Sequence, residues 1–442
     1  MTVLTRPDVA HRVVVDTRAE RPRRDHLATT ALALMANTGV TSVLGLAFWA
    51  GASAVYSPEE LGASAALISA MMLLSVVSQF DLATGIQRLL PQVRGRRWRP
   101  VVGAYGVSAA AAMVVAGGFV VVAPRLSGSF AFLGHRPALG VGLVLAVALW
   151  NIFALQDAVL TAVRWAAMVP LENGAFGILK IGLMFVFASQ FGGHGIFVAW
   201  VVAMALTLVP VNSLIFAHIL PSGPEPAAVA WPSALPIEDR GRVGRYLAVD
   251  YAAGLMAQGY TALLPLLVLA VLGTDANAYF YIAFLIAGAV RAVAQSMSTS
   301  LVVEGAHQER SVGAMARVSV VRYGRFALPA IVGLVLGAHL LLRPFGAVYA
   351  DRGATLLRLL LVATVPHALV ALYLGLERVR GRVGRVIAVE AALVVLVTAG
   401  ALAAMHRYGL AGVGVAWLAA HTLVAVLVAP AFWRACSRPT PG

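Results

Sequence analysis

Basic side chains inside apolar stretches are the residues of this sequence best suited to bind a ligand. Lys180, the only lysine of the chain, lies in the fifth long apolar stretch, and Arg291 lies in the eighth. A charge in the hydrocarbon region costs about 2.5–3.5 kcal/mol, so each needs a partner or a wet cavity. Snorkelling to the inner interface is the alternative for either residue. Two cations at a similar predicted depth, one from each half, favour a cationic cavity open to the cytoplasm, with Arg88 at its mouth.

Weaker polar candidates surround these cations. Asn37 and Gln258 fall inside predicted spans and are candidates for contacting polar cargo, although such amides also bond neighbouring helices. Asp250 and Glu304 are the expected counter-charges of Arg291. Gly254, Gly259 and Pro265 weaken the seventh span and predict a hinge, while Gly and Pro are also common in membrane helices without a special role.

The acidic residues of the spans cluster near the predicted inner helix ends, where they are expected to form salt bridges or helix-end contacts. They are Asp81, Asp157, Glu172, Asp250, Glu304 and Glu390. None falls near a predicted bilayer midplane, which argues against a proton or sodium relay of the usual intramembrane kind.

Composition places the chain in the membrane. Of its 442 residues 60% are apolar and 12% charged, and the mean hydropathy is +0.85. A soluble domain carries roughly twice that charged fraction. The net charge of +14 is typical of basic residues at cytoplasmic helix ends rather than of nucleic-acid binding. The single cysteine, Cys436, excludes an intrachain disulfide.

Motifs of enzymes and metal sites are absent from the sequence. It contains no G-x-x-x-x-G-K-[ST] loop, no H-E-x-x-H, no Cys/His cluster and no G-x-S-x-G. We therefore expect no enzymatic activity, no metal and no cofactor.

The apolar pattern predicts an all-α integral membrane fold with 12 transmembrane helices in two six-helix lobes around a central cavity. A proline-rich segment with five prolines, 218–245, separates the lobes. The predicted organisation is a basic arm at 1–26, an N-lobe at 27–217, the linker at 218–245, a C-lobe at 246–433 and a tail at 434–442. The predicted spans are 27–49, 61–80, 101–123, 138–160, 173–191, 195–217, 246–272, 276–299, 323–342, 354–374, 386–405 and 412–433.

Charge distribution sets the predicted orientation. With a cytoplasmic N-terminus, the outer loops hold five of the 33 Lys and Arg residues: Arg125, Arg136, Arg343, Arg352 and Arg407. Because basic residues mark the cytoplasmic side, this bias predicts that both termini are cytoplasmic.

An internal repeat supports the two lobes. The segment 191–200, FGGHGIFVAW, matches 408–417, YGLAGVGVAW, at five of ten positions, including Trp200 and Trp417. Six spans per half return the second lobe to the same orientation, so the repeat is parallel. Chance similarity between Gly- and Ala-rich helices is the alternative.

Several short motifs resemble a known family. They are Ser57-Pro-Glu-Glu-Leu-Gly62, Gly85-Ile-Gln-Arg-Leu-Leu-Pro91, Val169-Pro-Leu-Glu-Asn173, Asn277-Ala-Tyr-Phe280 and Tyr408-Gly-Leu-Ala-Gly412. Together they resemble the polysaccharide-biosynthesis flippases, the O-antigen (Wzx-like) branch of the multidrug/oligosaccharidyl-lipid/polysaccharide (MOP) exporter superfamily, over about residues 27–433. The resemblance implies a cavity lined by the first two helices of each lobe and export of a lipid-linked sugar. Arg88 lies within one motif, and Arg291 lies on the eighth helix, the C-lobe's second.

Together these observations predict a flippase of the cytoplasmic (inner) membrane that carries a lipid-linked oligosaccharide or polysaccharide precursor outward by alternating access. A positive inner vestibule suits a lipid-linked diphosphate, which pairs with Arg and Lys. Expected partners are that lipid-linked sugar, membrane lipids and proteins of polysaccharide synthesis. Two alternatives stay open, a MATE-like antiporter of cationic drugs and a non-transporting scaffold of a polysaccharide-synthesis complex.

Overall fold

The computed structural model describes the backbone of residues 17–93, 95–221, 237–307 and 312–437. Side chains are described from residue 36 to residue 436, except at 222–250 and 303–311 and at positions 92, 94, 126 and 132. Most of the predicted basic arm, linker and tail therefore lies outside the described residues. The described segments are mostly helical and contain no strand.

Fourteen α-helices follow one another along the described chain. They are α1 (Thr17–Val55), α2 (Pro58–Ser78), α3 (Leu82–Leu89), α4 (Trp98–Leu126), α5 (Ala131–His135), α6 (Pro137–Ala162), α7 (Met168–Phe191), α8 (Gly195–Leu214), α9 (Ile237–Leu272), α10 (Thr274–His307), α11 (Val312–Leu336), α12 (Ala338–Leu342), α13 (Ala347–Val379) and α14 (Val383–Ser437).

Ten helices of the described chain are long and apolar enough to cross a membrane. Two of these helical segments, Met168–Ile219, which contains α7 and α8, and Val383–Cys436, contain 52 and 54 residues, more than twice the ~20 residues that one span requires. Each long segment turns at a glycine of left-handed φ, Gly192 (φ 50°, ψ −135°) and Gly409 (φ 53°, ψ −134°). These two glycines are paired in the sequence repeat, so this position of the motif has the same backbone conformation in both copies.

Local sequence explains how α2 begins. Ser57 caps the helix, because its hydroxyl accepts a hydrogen bond from the Glu60 backbone N–H (3.3 Å) while the Glu60 carboxylate accepts one from the Ser57 N–H (2.9 Å). Pro58 occupies the first helical turn, where no N–H is needed. This reciprocal cap fixes the end of the helix that contacts the second half of the chain.

Helices α1–α8 pack mainly among themselves, as do α9–α14, and α2 makes the main contacts between the two groups. At the start of α2 the Asn277 amide donates a hydrogen bond to the Gly62 carbonyl (2.8 Å). Near its other end the Tyr251 hydroxyl donates one to the Val77 carbonyl (2.6 Å). Helix α2 is therefore tied to the second group at both ends.

A buried polar network holds the first group of helices together. Asn151 of α6 accepts a hydrogen bond from the Ser75 hydroxyl (2.5 Å) and donates to the Ser78 hydroxyl (2.9 Å) and the Ser108 carbonyl (3.3 Å). These contacts join α2, α4 and α6. Because buried polar groups are costly when unpaired, the network fixes the packing of these three helices.

Candidate functional site

A cavity of about 860 Å³ lies between the two groups of helices. Its walls come largely from α1, α2, α9 and α10, the first two long helices of each group, with further residues from α6, α13 and α14. This is the lining that the family resemblance implied. The ionisable side chains among the described lining residues are Tyr260, Tyr281, Arg291, His367, Arg378 and Glu390.

Arg291, the predicted binding residue of α10, is in this cavity. Its guanidinium carbon lies 4.4 Å from the ring centre of Phe284 and 5.0 Å from that of Trp417. The aromatic faces attract the cation without neutralising it. One guanidinium nitrogen, Nη1, is buried and has no hydrogen-bond partner. Arg291 thus carries a charge and an unused donor at the wall of the cavity.

The other two full charges of the described cavity wall pair with each other. Arg378 Nη2 lies 3.8 Å from Glu390 Oε1, with the Glu390 side chain almost fully buried. This pairing agrees with the expectation that Glu390 is a salt-bridge partner. Since these charges offset one another, the net fixed charge of the described lining is that of Arg291.

Lys180 lies outside the cavity lining and is enclosed by aromatic rings. Its Nζ atom is 3.9 Å from the ring centre of Trp200, 4.8 Å from Phe176 and 5.0 Å from Phe48. The side chain is 6% exposed. In this conformation the predicted cavity cation of the N-lobe is sealed within the first group of helices, and the structure does not bring it together with Arg291.

Arg88 lies on the short helix α3, with an exposed side chain, and is outside the cavity lining of this conformation. Of the three cations predicted to share one vestibule, only Arg291 lines the cavity described here. The reason is packing: α3 follows the end of α2 as a separate helix that contacts α6, which places Arg88 apart from the α10 wall.

Only some of the weaker candidates from the sequence, the polar and hinge residues, line the cavity. Gln258, Gly254 and Pro265 line the cavity from α9, whereas Gly259 and Asn37 do not. The Asn37 Oδ1 atom is buried without a partner one turn before Thr41, which does line the cavity. Asp250 and Glu304 lie on α9 and α10, but their side chains are outside the described residues. Helix α9 continues through Pro265.

Two carboxylates expected to form helix-end contacts or salt bridges instead accept hydrogen bonds from amides. The Gln156 amide donates to Glu172 (3.2 Å), and the Asn173 amide donates to Asp157 (3.1 Å). The Asn212 amide in turn donates to Gln156 (2.8 Å). This network joins α6, α7 and α8 and stabilises the first group of helices.

Sequence reasoning missed two histidines beside Arg291. His367 of α13 lines the cavity, and His421 of α14 is fully buried with its ring 4.7 Å from that of Trp417. The spacing of Trp417 and His421, four residues along one helix, places them on one face and was the available signal.

Solved structures of the same architecture identify the fold. The chain is similar to an inward-facing multidrug resistance MATE family transporter of the MOP superfamily (TM-score 0.65, 15% identity, 90% of this chain and 94% of that one). It is also similar to the MATE multidrug transporter DinF-BH in complex with R6G (TM-score 0.67, 14% identity, 93% and 95%). A third similar structure is the lipid II flippase MurJ in an inward closed conformation (TM-score 0.66, 13% identity, 92% and 90%). The fold is that of the MOP-superfamily transporters.

The fold agrees with the one that the resemblance of the sequence motifs implied. No protein-family profile matches the sequence, and no curated protein matches it. Multidrug transporters and a lipid flippase share this fold, so the fold does not identify the cargo. Only the short sequence motifs indicate the O-antigen branch.

Proposed function

We propose that this chain is a flippase of the cytoplasmic membrane that moves a lipid-linked oligosaccharide or polysaccharide precursor from the inner to the outer leaflet by alternating access. The observation that carries the proposal is Arg291, a guanidinium with an unused buried donor at the wall of a cavity between two helix groups. Guanidinium groups bind phosphate through paired donors, so a lipid-linked diphosphate is the cargo class that this wall fits.

The proposal includes twelve spans. Counting Met168–Ile219 and Val383–Cys436 as two spans each turns the ten candidate segments into twelve. They form an N-lobe at 27–217 and a C-lobe at 246–433, joined by the linker 218–245. With an even number of spans both termini lie on one side, which the basic residues make the cytoplasmic side.

The membrane potential assists this direction of movement. A diphosphate diester carries two negative charges, and each gains about 2.3 kcal/mol per 100 mV on moving outward across an inside-negative membrane. Coupling to another ion is therefore not obligatory. Neither Arg88 nor Lys180 lines the cavity described here, so contact of either residue with the cargo requires a change of conformation.

Transport by purified protein tests the proposal. Proteoliposomes would contain a polyprenyl diphosphate carrying one fluorescent sugar, and a membrane-impermeant quencher would report its appearance in the opposite leaflet. We expect Arg291→Gln to reduce the rate at least ten-fold and Arg291→Lys to retain part of it. Arg358→Gln, which alters an exposed arginine of α13 outside the cavity, is the matched control and should transport at the wild-type rate. Wild-type transport by Arg291→Gln would contradict the proposal.

An antiporter of organic cations is the second candidate. Two observations favour it, the aromatic residues Trp150, Tyr281, Phe284 and Trp417 in the cavity wall and the cavity carboxylate Glu390. The unpaired charge of Arg291 opposes it, because like charges repel in a cavity of low dielectric constant. Loss of rhodamine 6G transport in Glu390→Gln, with Arg291→Gln active, would establish the antiporter.

A non-transporting scaffold is the remaining alternative. It predicts that substitutions in the cavity have no effect on polymer synthesis in cells, whereas substitutions on the exposed surface abolish it. The flippase predicts the reverse, so the paired variants Arg291→Gln and Arg358→Gln also separate these two functions in a cellular assay of polymer export.

A further inference from the structure

Two imidazoles lie directly behind Arg291. His367 of α13 lines the cavity, and the His421 ring of α14 lies with its centre 5.2 Å from that of His367. The His421 ring also packs on Trp417, with centres 4.7 Å apart, and Trp417 is the same indole that contacts the Arg291 guanidinium at 5.0 Å. Arg291, Trp417, His421 and His367 thus form one continuous cluster that reaches the cavity.

Hydrogen bonding leaves each ring with a vacant nitrogen. His421 Nδ1 is 2.9 Å from the Trp417 carbonyl, which can only accept, so Nδ1 carries the proton and Nε2 is the basic nitrogen. His421 Nε2 is buried without a hydrogen-bond partner, and so is His367 Nδ1. Unpaired buried nitrogens are costly and are rare without a function. A proton can bind at His421 Nε2, and at whichever nitrogen of the neutral His367 ring carries none.

The charged and titratable groups around the pair come from every helix that packs against it. Helix α10 contributes Arg291, α9 contributes Tyr260 (ring 5.4 Å from Trp417), and α11 contributes Tyr323, whose hydroxyl donates to the Thr364 carbonyl (3.3 Å). The remaining charges of the cavity wall are Arg378 on α13 and Glu390 on α14, which pair with each other. Arg291 is therefore the uncompensated charge that the two rings meet among the described residues.

An anion beside Arg291 changes the electrostatic field at these rings. While the cavity is empty, a proton on either ring would stand near the guanidinium, and the repulsion disfavours it. A bound dianion reverses the sign of the local field and favours a proton on one ring. Because the rings are in contact with each other, two protons at once remain unfavourable.

We propose that the His367–His421 pair is a proton-binding site that takes up one proton when the diphosphate of the cargo occupies the cavity beside Arg291. The bound anion is then held by the guanidinium and one imidazolium. This inference rests on the proposed function, and it adds that the cavity binds its anion together with a proton. By reciprocity, the affinity for the anion rises as the pH falls.

Proton uptake during binding tests the proposal. The probe is dimethyl diphosphate, a soluble diester with two fixed negative charges and no titration near neutral pH. Calorimetric titrations of the full chain in lipid nanodiscs at pH 7, in two buffers of different ionisation enthalpy, count the protons taken up per anion. We expect a positive uptake of at most one proton per bound anion for the wild type and none for His367→Asn/His421→Gln. That variant should still bind, with an affinity that no longer rises as the pH falls from 8 to 6.

A measurement without ligand keeps the test decisive if the double variant folds poorly. An imidazolium against an indole quenches its fluorescence, so the pH dependence of tryptophan emission reports a proton on His421. We expect Arg291→Gln to shift this quenching to higher pH by about one unit, since the repelling charge is removed.

Each result separates this inference from the proposed function. Anion binding without proton uptake, or quenching whose pH dependence is the same in Arg291→Gln and wild type, would overturn the proton site and leave the flippase standing. No saturable binding of dimethyl diphosphate to the wild type would overturn both.

Discussion

Trp200 and Trp417 occupy matching positions in the two repeats, 217 residues apart, and each packs its indole against a cation within a candidate membrane span. The cations come from helices that do not correspond. Lys180 belongs to α7 and is sealed among rings, whereas Arg291 belongs to α10 and lines the cavity. Of these two cations, only the one in the second half of the chain lines the cavity. We therefore propose that the anion binds to the second half.

Replacing Lys180 by Met tests whether this lysine takes part in transport. Three aromatic rings attract the cation, by up to about 2 kcal/mol when it is desolvated, but burying an ammonium group costs several kcal/mol. Because Met fills a similar volume without a charge, we expect an equal or higher melting temperature and transport within two-fold of wild type. A loss of transport as large as that of Arg291→Gln would instead show that Lys180 joins the cavity in another conformation.

The turns at Gly192 and Gly409 should lose similar amounts of stability when either glycine is replaced by alanine. Gly192 and Gly409 share a positive φ that other residues adopt only at a cost of about 1–3 kcal/mol. We expect Gly192→Ala and Gly409→Ala each to lower the stability by that amount in denaturation of the detergent-solubilised protein. Gly142→Ala, at a helical glycine with open space around it, is the control. A large difference between the two variants would argue against equivalent turns.

Gly62 permits the close approach of α2 and α10. A Cβ atom there would collide with the Thr274 carbonyl oxygen, and the Gly62 carbonyl accepts the hydrogen bond from Asn277. We expect Gly62→Ala to separate these helix ends and to lower transport several-fold while the protein remains folded. The rate of disulfide formation between cysteines introduced at Ala63 and Asp275 reports the separation. An unchanged rate would show that the contact tolerates a methyl group.

Tyr251 ties α9 to the opposite end of α2, through its hydroxyl and through its ring, which lies 5.9 Å from that of Phe80. Removing the hydroxyl in Tyr251→Phe deletes one hydrogen bond of about 1 kcal/mol, so this end should open about five-fold more often. A cysteine at Gln258, in a Cys436→Ser background, measures cavity access by its rate of labelling with a polar thiol reagent. Equal labelling rates with and without the Tyr251→Phe substitution would mean that the cavity opens elsewhere.

The sequence predicted the helical membrane architecture, because this depends on hydropathy, and the structure places the predicted Arg291 at the cavity wall. The two-lobe duplication and the binding role of Arg291 stay predictions. The sequence also predicted that Lys180, Arg88 and Arg291 share one cavity, but only Arg291 lines the cavity of this conformation. When every face of a span is apolar, periodicity does not show which face meets the cavity. The sequence therefore predicted how deep Lys180 lies in the membrane but not which neighbouring helices its side chain faces. Its enclosure by aromatic rings depends on contacts between α1, α7 and α8.

The histidine pair shows a second limit. His367 and His421 are 54 residues apart and meet only because α13 packs against α14, a contact between distant segments that no local pattern reports. Similarly, Glu172 and Asp157 accept hydrogen bonds from the amides of Gln156 and Asn173 in place of the salt bridges that helix-end acids suggest. These amides come from helices that meet only in the folded chain.

Equilibrium dialysis of radiolabelled dimethyl diphosphate against the protein in lipid nanodiscs measures whether an anion binds at Arg291. We predict saturable binding to the wild type and to Arg358→Gln. In Arg291→Gln we predict binding weakened at least ten-fold, or about 1.4 kcal/mol, and in Arg291→Lys binding that is partly restored. Equal affinities of the wild type and Arg291→Gln, or saturable binding of tetraphenylphosphonium in place of the diphosphate, would contradict these predictions.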